Sequence, residues 1–150
     1  MSSRIGNLCV DSHDPYAQTL WWAQVLEDYV IDPDDEMAPG DPECGLLGPD
    51  GRWLLFLKVP ESKSVKNRAH ICLRPVDRTR DEEVERILGL GASIVSDLRS
   101  GPTQGWVVLA DPEGNEFCVL VRLDDVEDED DDEDVAAAAG SLAGATGDGS

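Results

Sequence analysis

Asn7-Leu8-Cys9-Val10 returns as His70-Ile71-Cys72-Leu73, and Gly48-Pro49-Asp50-Gly51-Arg52 returns as Asp111-Pro112-Glu113-Gly114-Asn115, both at an offset of 63 residues. In each pair the first word opens an apolar, strand-like stretch and the second stands between two such stretches. Self-similarity at a fixed spacing marks a repeated supersecondary unit. The units run over about residues 4–59 and 68–122, joined through Val59-Pro60-Glu61 to Asn67-Arg68.

Within the first unit, residues 5–11 read as a strand, and Asp14-Pro15 supplies a helix N-cap with proline at the first helical position. Ala17, Leu20, Trp21, Val25 and Leu26 recur at three- and four-residue spacing, which predicts one apolar helix face through about residue 27, with Trp22 partly off it. Tyr29-Val30-Ile31 reads as a short strand and Pro33 to Pro42 as an acidic loop. Cys44 to Leu47 and Arg52 to Val59 form a hairpin across Gly48-Pro49-Asp50-Gly51. The second unit repeats the order. A strand at His70 to Arg74 leads to a helix at Thr79 to Leu88, where Thr79-Arg80-Asp81-Glu82 fits a capping box and Val84, Ile87 and Leu88 face inward. Gly89 or Gly91 ends that helix. Strands at Ala92 to Asp97, Gly105 to Ala110 and Asn115 to Arg122 follow, the last two joined by Asp111-Pro112-Glu113-Gly114. Both units read βαβββ.

This order, with Asp111-Pro112-Glu113-Gly114-Asn115-Glu116-Phe117 as the closing hairpin, Asp14-Pro15 at the first helix and His70 opening the second unit, resembles the vicinal oxygen chelate superfamily (glyoxalase, bleomycin resistance protein, dihydroxybiphenyl dioxygenase). Within it, the chain resembles the glyoxalase-like domains over about residues 4–122. The resemblance implies an α+β fold, with two tandem βαβββ modules forming a cupped, incompletely closed mixed sheet and helices on the outside. It also implies a homodimer.

Residues 123–150 differ in kind. From Asp124 onward there are 11 acidic residues and no basic one, against 21 acidic and 12 basic before it, so the net charge of −20 divides as −11 and −9. Adjacent like charges repel, and the Ala/Gly/Ser run that follows lacks large side chains, so an acidic, disordered tail is expected. An acidic body with an acidic tail is repelled by phosphate, which argues against nucleic acid and anionic membrane surfaces as partners. There is no apolar run of about 18 residues, and Met-Ser-Ser-Arg carries no hydrophobic signal core. Four cysteines without any CxxC spacing, three of them in apolar runs, are expected as reduced thiols in a cytoplasmic protein.

Side chains alternate across a strand, so one parity faces the helices and the other the cup. Leu8, Val10, Leu54, Phe56, Phe117, Val119 and Val121 take the helix side. The cup is then lined by Asn7, Cys9, Trp53, Leu55 and Leu57 from the first unit and by His70, Cys72, Arg74, Glu116, Cys118 and Leu120 from the second, with Trp106 as an aromatic wall. The resemblance implies a divalent ion held by four inward residues, matched here by Asn7, His70, Cys118 and either Leu55 or Leu57. Leucine has no lone pair and asparagine is a weak neutral donor. No complete metal site and no cofactor are therefore expected, and any ion would rest on His70 and Cys118 and favour zinc or copper. For catalysis, His70 is the candidate base, Cys118 the candidate nucleophile and Glu116 the nearest carboxylate. Arg74 could receive a ligand carboxylate or phosphate through its planar fork.

Three functions stay open on these residues. The first is a binder of a small, apolar or cationic molecule, in the manner of antibiotic-sequestering relatives. The second is a lyase or isomerase using His70 with or without a divalent metal, and the third is a non-catalytic dimeric interaction module.

Overall fold

The computed structural model describes residues 2–126, so all but the first residues of the expected acidic tail lie outside it. The chain divides between Lys63 and Ser64 into two compact units. Each carries a helix and an open mixed sheet, an α+β architecture.

The first unit contains β1 (Asn7–Ser12), α1 (Pro15–Val25), β2 (Glu43–Leu47) and β3 (Trp53–Lys58), with strand order β1-β3-β2. β1 runs parallel to β3 and β2 antiparallel to it. The Asp14 carboxylate accepts from the Ala17 N–H at 3.1 Å and Pro15 fills the first helical position, so the helix starts where the sequence predicts. The face it buries differs from the predicted one. Pro15, Gln18, Thr19, Trp21 and Trp22 are buried while Ala17 is exposed and Leu20 and Val25 are only half-buried. The two indoles pack edge to face with centroids 5.1 Å apart, both buried, and this bulky pair turns the helix toward the sheet more strongly than the aliphatic stripe does. The predicted strand at Tyr29-Val30-Ile31 is also reduced, to a single antiparallel bridge between Val30 and Leu47. Two hydrogen bonds of 2.9 and 2.8 Å form it, after which Asp32 and Pro33 turn the chain away.

In the second unit β4 (Ile71–Leu73), α2 (Arg80–Gly89), β5 (Ser93–Asp97), β6 (Val107–Ala110) and β7 (Glu116–Val119) give the order β4-β7-β6-β5. Opening and closing strands are again parallel neighbours. The capping box is present, with the Thr79 hydroxyl accepting from the Glu82 N–H and the Glu82 carboxylate accepting from the Thr79 N–H, both at 3.2 Å. Gly91, at φ +108°, terminates the helix, and hydrogen bonds from Gly91 N–H to Leu88 and from Ala92 N–H to Ile87 close the last turn. β6 and β7 are buried on both faces, which explains the continuous apolar run Val107-Val108-Leu109-Ala110. One face packs Val107, Leu109, Phe117 and Val119 beneath α2, with Val84 and Ile87 contributed by the helix. On the other, Trp106, Val108, Cys118 and Leu120 form a second cluster with Leu98. After β7 the chain makes a 3₁₀ turn at Leu123–Asp125, held by Arg122 and Asp125 at 2.9 Å. Among the described residues no helix is long and apolar enough to cross a membrane.

Candidate functional site

Pairing of β1 with β3 sets Asn7 beside Trp53 and Cys9 beside Leu55, and pairing of β2 sets Glu43 beside Leu57, Gly45 beside Leu55 and Leu47 beside Trp53. Register partners share a face. Asn7, Cys9, Trp53, Leu55 and Leu57 therefore lie on the face opposite Leu54 and Phe56, which are buried beneath α1. The Asn7 amide donates to the Cys9 sulfur at 3.3 Å on that face. A pocket of about 270 Å³ opens beside it, lined by Asp35, Glu43, Cys44, Gly45, Trp53 and Leu55. Gly45 helps to keep it open. A Cβ there would stand 2.5 Å from Leu55 Cδ2 and 2.9 Å from the Leu54 carbonyl oxygen, closer than real side chains approach. The local field is negative. The Cys44 thiol, buried with Phe56, is pushed up first by burial and then by the carboxylates of Asp41, Asp35, Asp14 and Glu43. Trp53 and Leu55 are legible in the sequence as members of this face. Asp35 and Glu43 are not, because their approach depends on the path of the long acidic loop.

The second unit brings a different set together. Cys72 and Cys118 are register partners on the parallel strands β4 and β7. His70, two residues before Cys72 on extended chain, falls on the same face. The imidazole nitrogen and the two sulfurs lie within 4.8 Å of one another. Burial separates the thiols: Cys72 is exposed and Cys118 is wholly enclosed. The adjoining Cys118 thiol, with His70 and Arg74 nearby and against a partial cost of burial, pulls the Cys72 thiol down to about 6. Cys118 is pushed up by its neighbour Cys72 and by burial. Thiolate character and access thus reside on Cys72. The Glu116 carboxylate accepts from the Asn67 N–H at 3.2 Å, tying the start of the unit to its closing strand. Arg74 donates to the Val121 carbonyl at 2.7 Å. Trp106 is enclosed with Cys118, and its indole N–H finds no partner among the described residues. Sequence parity places His70, Cys72 and Cys118 on one face, but only the β4–β7 register shows Cys72 completing a group of three donors.

The family model for the glyoxalase-like domain matches residues 7–120. The chain belongs to the glyoxalase-like domain family. No curated protein matches this glyoxalase-like domain. Among solved structures it is similar to the fosfomycin resistance protein FosX from Mesorhizobium loti, at TM-score 0.58 and 20% identity over 80% of this chain and 92% of that one. FosX from Listeria monocytogenes, in a structure with Mn(II) and a dihydroxypropylphosphonic acid, gives 0.58 and 18% over 83% and 95%. A possible glyoxalase from Bacillus cereus gives 0.55 and 15% over 79% and 99%. At these identities the likeness is one of fold.

Manganese prefers oxygen donors in octahedral array. The second unit of this glyoxalase-like domain offers one imidazole and two thiols, and in the first Leu55 and Leu57 offer no lone pair. The donor set does not fit a hard ion of that kind.

Proposed function

We propose that this glyoxalase-like domain binds a small organic cation with an apolar or aromatic body, sequestering it without chemical change. One observation carries the reading: the pocket of the first unit is lined by an indole, a leucine and two carboxylates, and no basic residue lines it among the described residues. A tryptophan face attracts a cation by its quadrupole, and flanking carboxylates add charge complementarity. Neighbours that are fosfomycin resistance proteins support a role in handling toxic small molecules, since the same fold serves that purpose there. We place the protein in the cytoplasm, where its free thiols stay reduced. A homodimer is consistent with the exposed Leu8 on edge strand β1 and the exposed Ile94 and Val95 on edge strand β5.

Calorimetry and tryptophan fluorescence with benzyltrimethylammonium, benzyl alcohol and phenylacetate test the proposal. The cation should bind and quench. Trp53→Leu should weaken it about 5- to 30-fold, the range of one desolvated cation–π contact. Asp35→Asn and Glu43→Gln should each weaken it about threefold, as expected of partly solvated charges. Equal binding of phenylacetate, or affinity indifferent to Trp53→Leu, overturns the reading.

A further inference from the structure

We propose that His70, Cys72 and Cys118 form a thiolate-rich site in the second unit for a soft or borderline ion of the zinc type, with a fourth coordination position open to solvent. This goes beyond the cation pocket and does not depend on it. Three observations converge. The donor atoms already lie within 4.8 Å of one another. A tetrahedral ion with metal–sulfur bonds of about 2.3 Å and metal–nitrogen bonds of about 2.0 Å holds its ligand atoms roughly 3.5–3.8 Å apart, so rotamer adjustments of the exposed Cys72 and half-buried His70 suffice.

The backbone under the donors is firm. Cys72 and Cys118 sit opposite each other in a parallel ladder that continues from the Leu120 N–H to the Leu73 carbonyl at 2.8 Å, and Cys118 also pairs with Val108 on β6. A site built on paired strands holds its geometry better than one on loops.

The surroundings favour a dry seat on one side and access on the other. Cys118 is packed among Trp106, Val108 and Leu120, whereas Cys72 faces solvent. An apolar shell around a ligating sulfur limits competition by water. The nearby carboxylate that could recruit a hard ion, Glu116, accepts from the Asn67 backbone. Two thiolates and an imidazole select zinc, cadmium, cobalt or Cu(I) over manganese and magnesium. Three protein ligands with one position left free also match the coordination pattern of zinc sites that accept a further molecule.

The test titrates the metal-free full-length chain with Co(II), read by absorption, followed by displacement with Zn(II). A single ion should bind tightly with the visible bands of tetrahedral cobalt and a near-ultraviolet thiolate-to-cobalt charge-transfer band, and zinc should bleach both. Cys72→Ser and Cys118→Ser should each diminish the charge-transfer band, and His70→Ala should weaken binding by at least about tenfold. Cys9→Ser and Cys44→Ser should leave the spectrum intact. Should Cys118→Ser not fold, the exposed Cys72→Ser decides alone. Cobalt held by the acidic residues after 126 would be oxygen-ligated and octahedral, without the charge-transfer band. That spectrum, or one unchanged in Cys72→Ser, or tighter binding of Mn(II) than of Zn(II), overturns the proposal.

Discussion

Asp111 is nearly fully buried, and its Oδ1 accepts from the backbone N–H groups of Glu113 and Asn115 at 2.9 and 3.0 Å, while the Asn115 amide donates to Oδ2 at 3.1 Å. The hairpin motif on which the family resemblance rests is therefore built around one carboxylate. The equivalent position in the first unit is Gly48, which keeps the matching backbone bond, from its N–H to the Arg52 carbonyl at 2.7 Å, but carries the Tyr29 ring where a Cβ would lie. One turn is filled by its own side chain and its counterpart by a neighbour's ring. Asp111→Ala should cost about 2 kcal/mol by leaving the part-buried Glu113 and Asn115 N–H groups without their acceptor, seen as a lower urea midpoint at constant slope. Asp97 shows a different use of a carboxylate. Two guanidinium bonds from Arg99, at 2.8 and 2.6 Å, hold it at about 2. Because the folded value is depressed, its contribution is fully present above the ordinary 3.8 and is lost as pH falls through about 2. Asp97→Asn should thus be less stable than the native chain at pH 5, with the gap closing between about pH 4 and 2. A gap that persists at pH 2 would contradict this. None of these residue roles needs long-range information to suspect, since Asp-Pro-x-Gly-Asn and Asp-x-Arg are local patterns; the burial of Asp111 does.

At the scale of elements, α2 is fastened at its start by more than its cap. Arg80 is almost wholly buried, and its guanidinium donates to the carbonyls of Gln104 at 2.5 Å, Gly105 at 3.0 Å and Gly101 at 2.7 Å, while Nε meets Asp81 at 3.0 Å. The loop between β5 and β6 is thus organised from the helix, and Gly105, at φ +77°, turns there against the Leu98 carbonyl, where only glycine fits. Arg80→Met should cost about 3 kcal/mol because three carbonyls lose their donor. Hydrogen exchange should show the loop between β5 and β6 opening before β7 does. Exchange quickened equally in both segments would argue against this coupling. α2 was readable because capping box, apolar stripe and glycine stop all agree. α1 was readable in extent but not in rotation: Gln18 and Thr19 are buried with Trp21 and Trp22, where polarity predicts exposure, on a helix that packs against β2 and β3. Val30 likewise has strand composition but obtains only a bridge, because the proline-bearing chain beyond it departs from the sheet.

Across the whole molecule the charge is strongly negative, −20 over 150 residues, and the pocket of the first unit shares that sign. Binding of a small cation should therefore weaken with salt. Raising ionic strength from about 0.01 to 0.15 M shortens the Debye length from roughly 30 to 8 Å, so the distant carboxylates drop out while Asp35 and Glu43 still act. Affinity for benzyltrimethylammonium should fall severalfold over that range in the native chain, and less in Glu43→Gln. Salt-independent affinity would mean that the carboxylates do not face the ligand. The sequence by itself determined the tandem units, seven of their strands and both helices, because periodicity, caps and turn torsions act over a few residues. Only the tertiary structure decided which side chains converge. The register between β4 and β7 unites Cys72 with Cys118, and the path of the chain from Asp32 to Pro42 brings Asp35 to Trp53. Both depend on closing long stretches of chain, and no local pattern specifies where such closures meet.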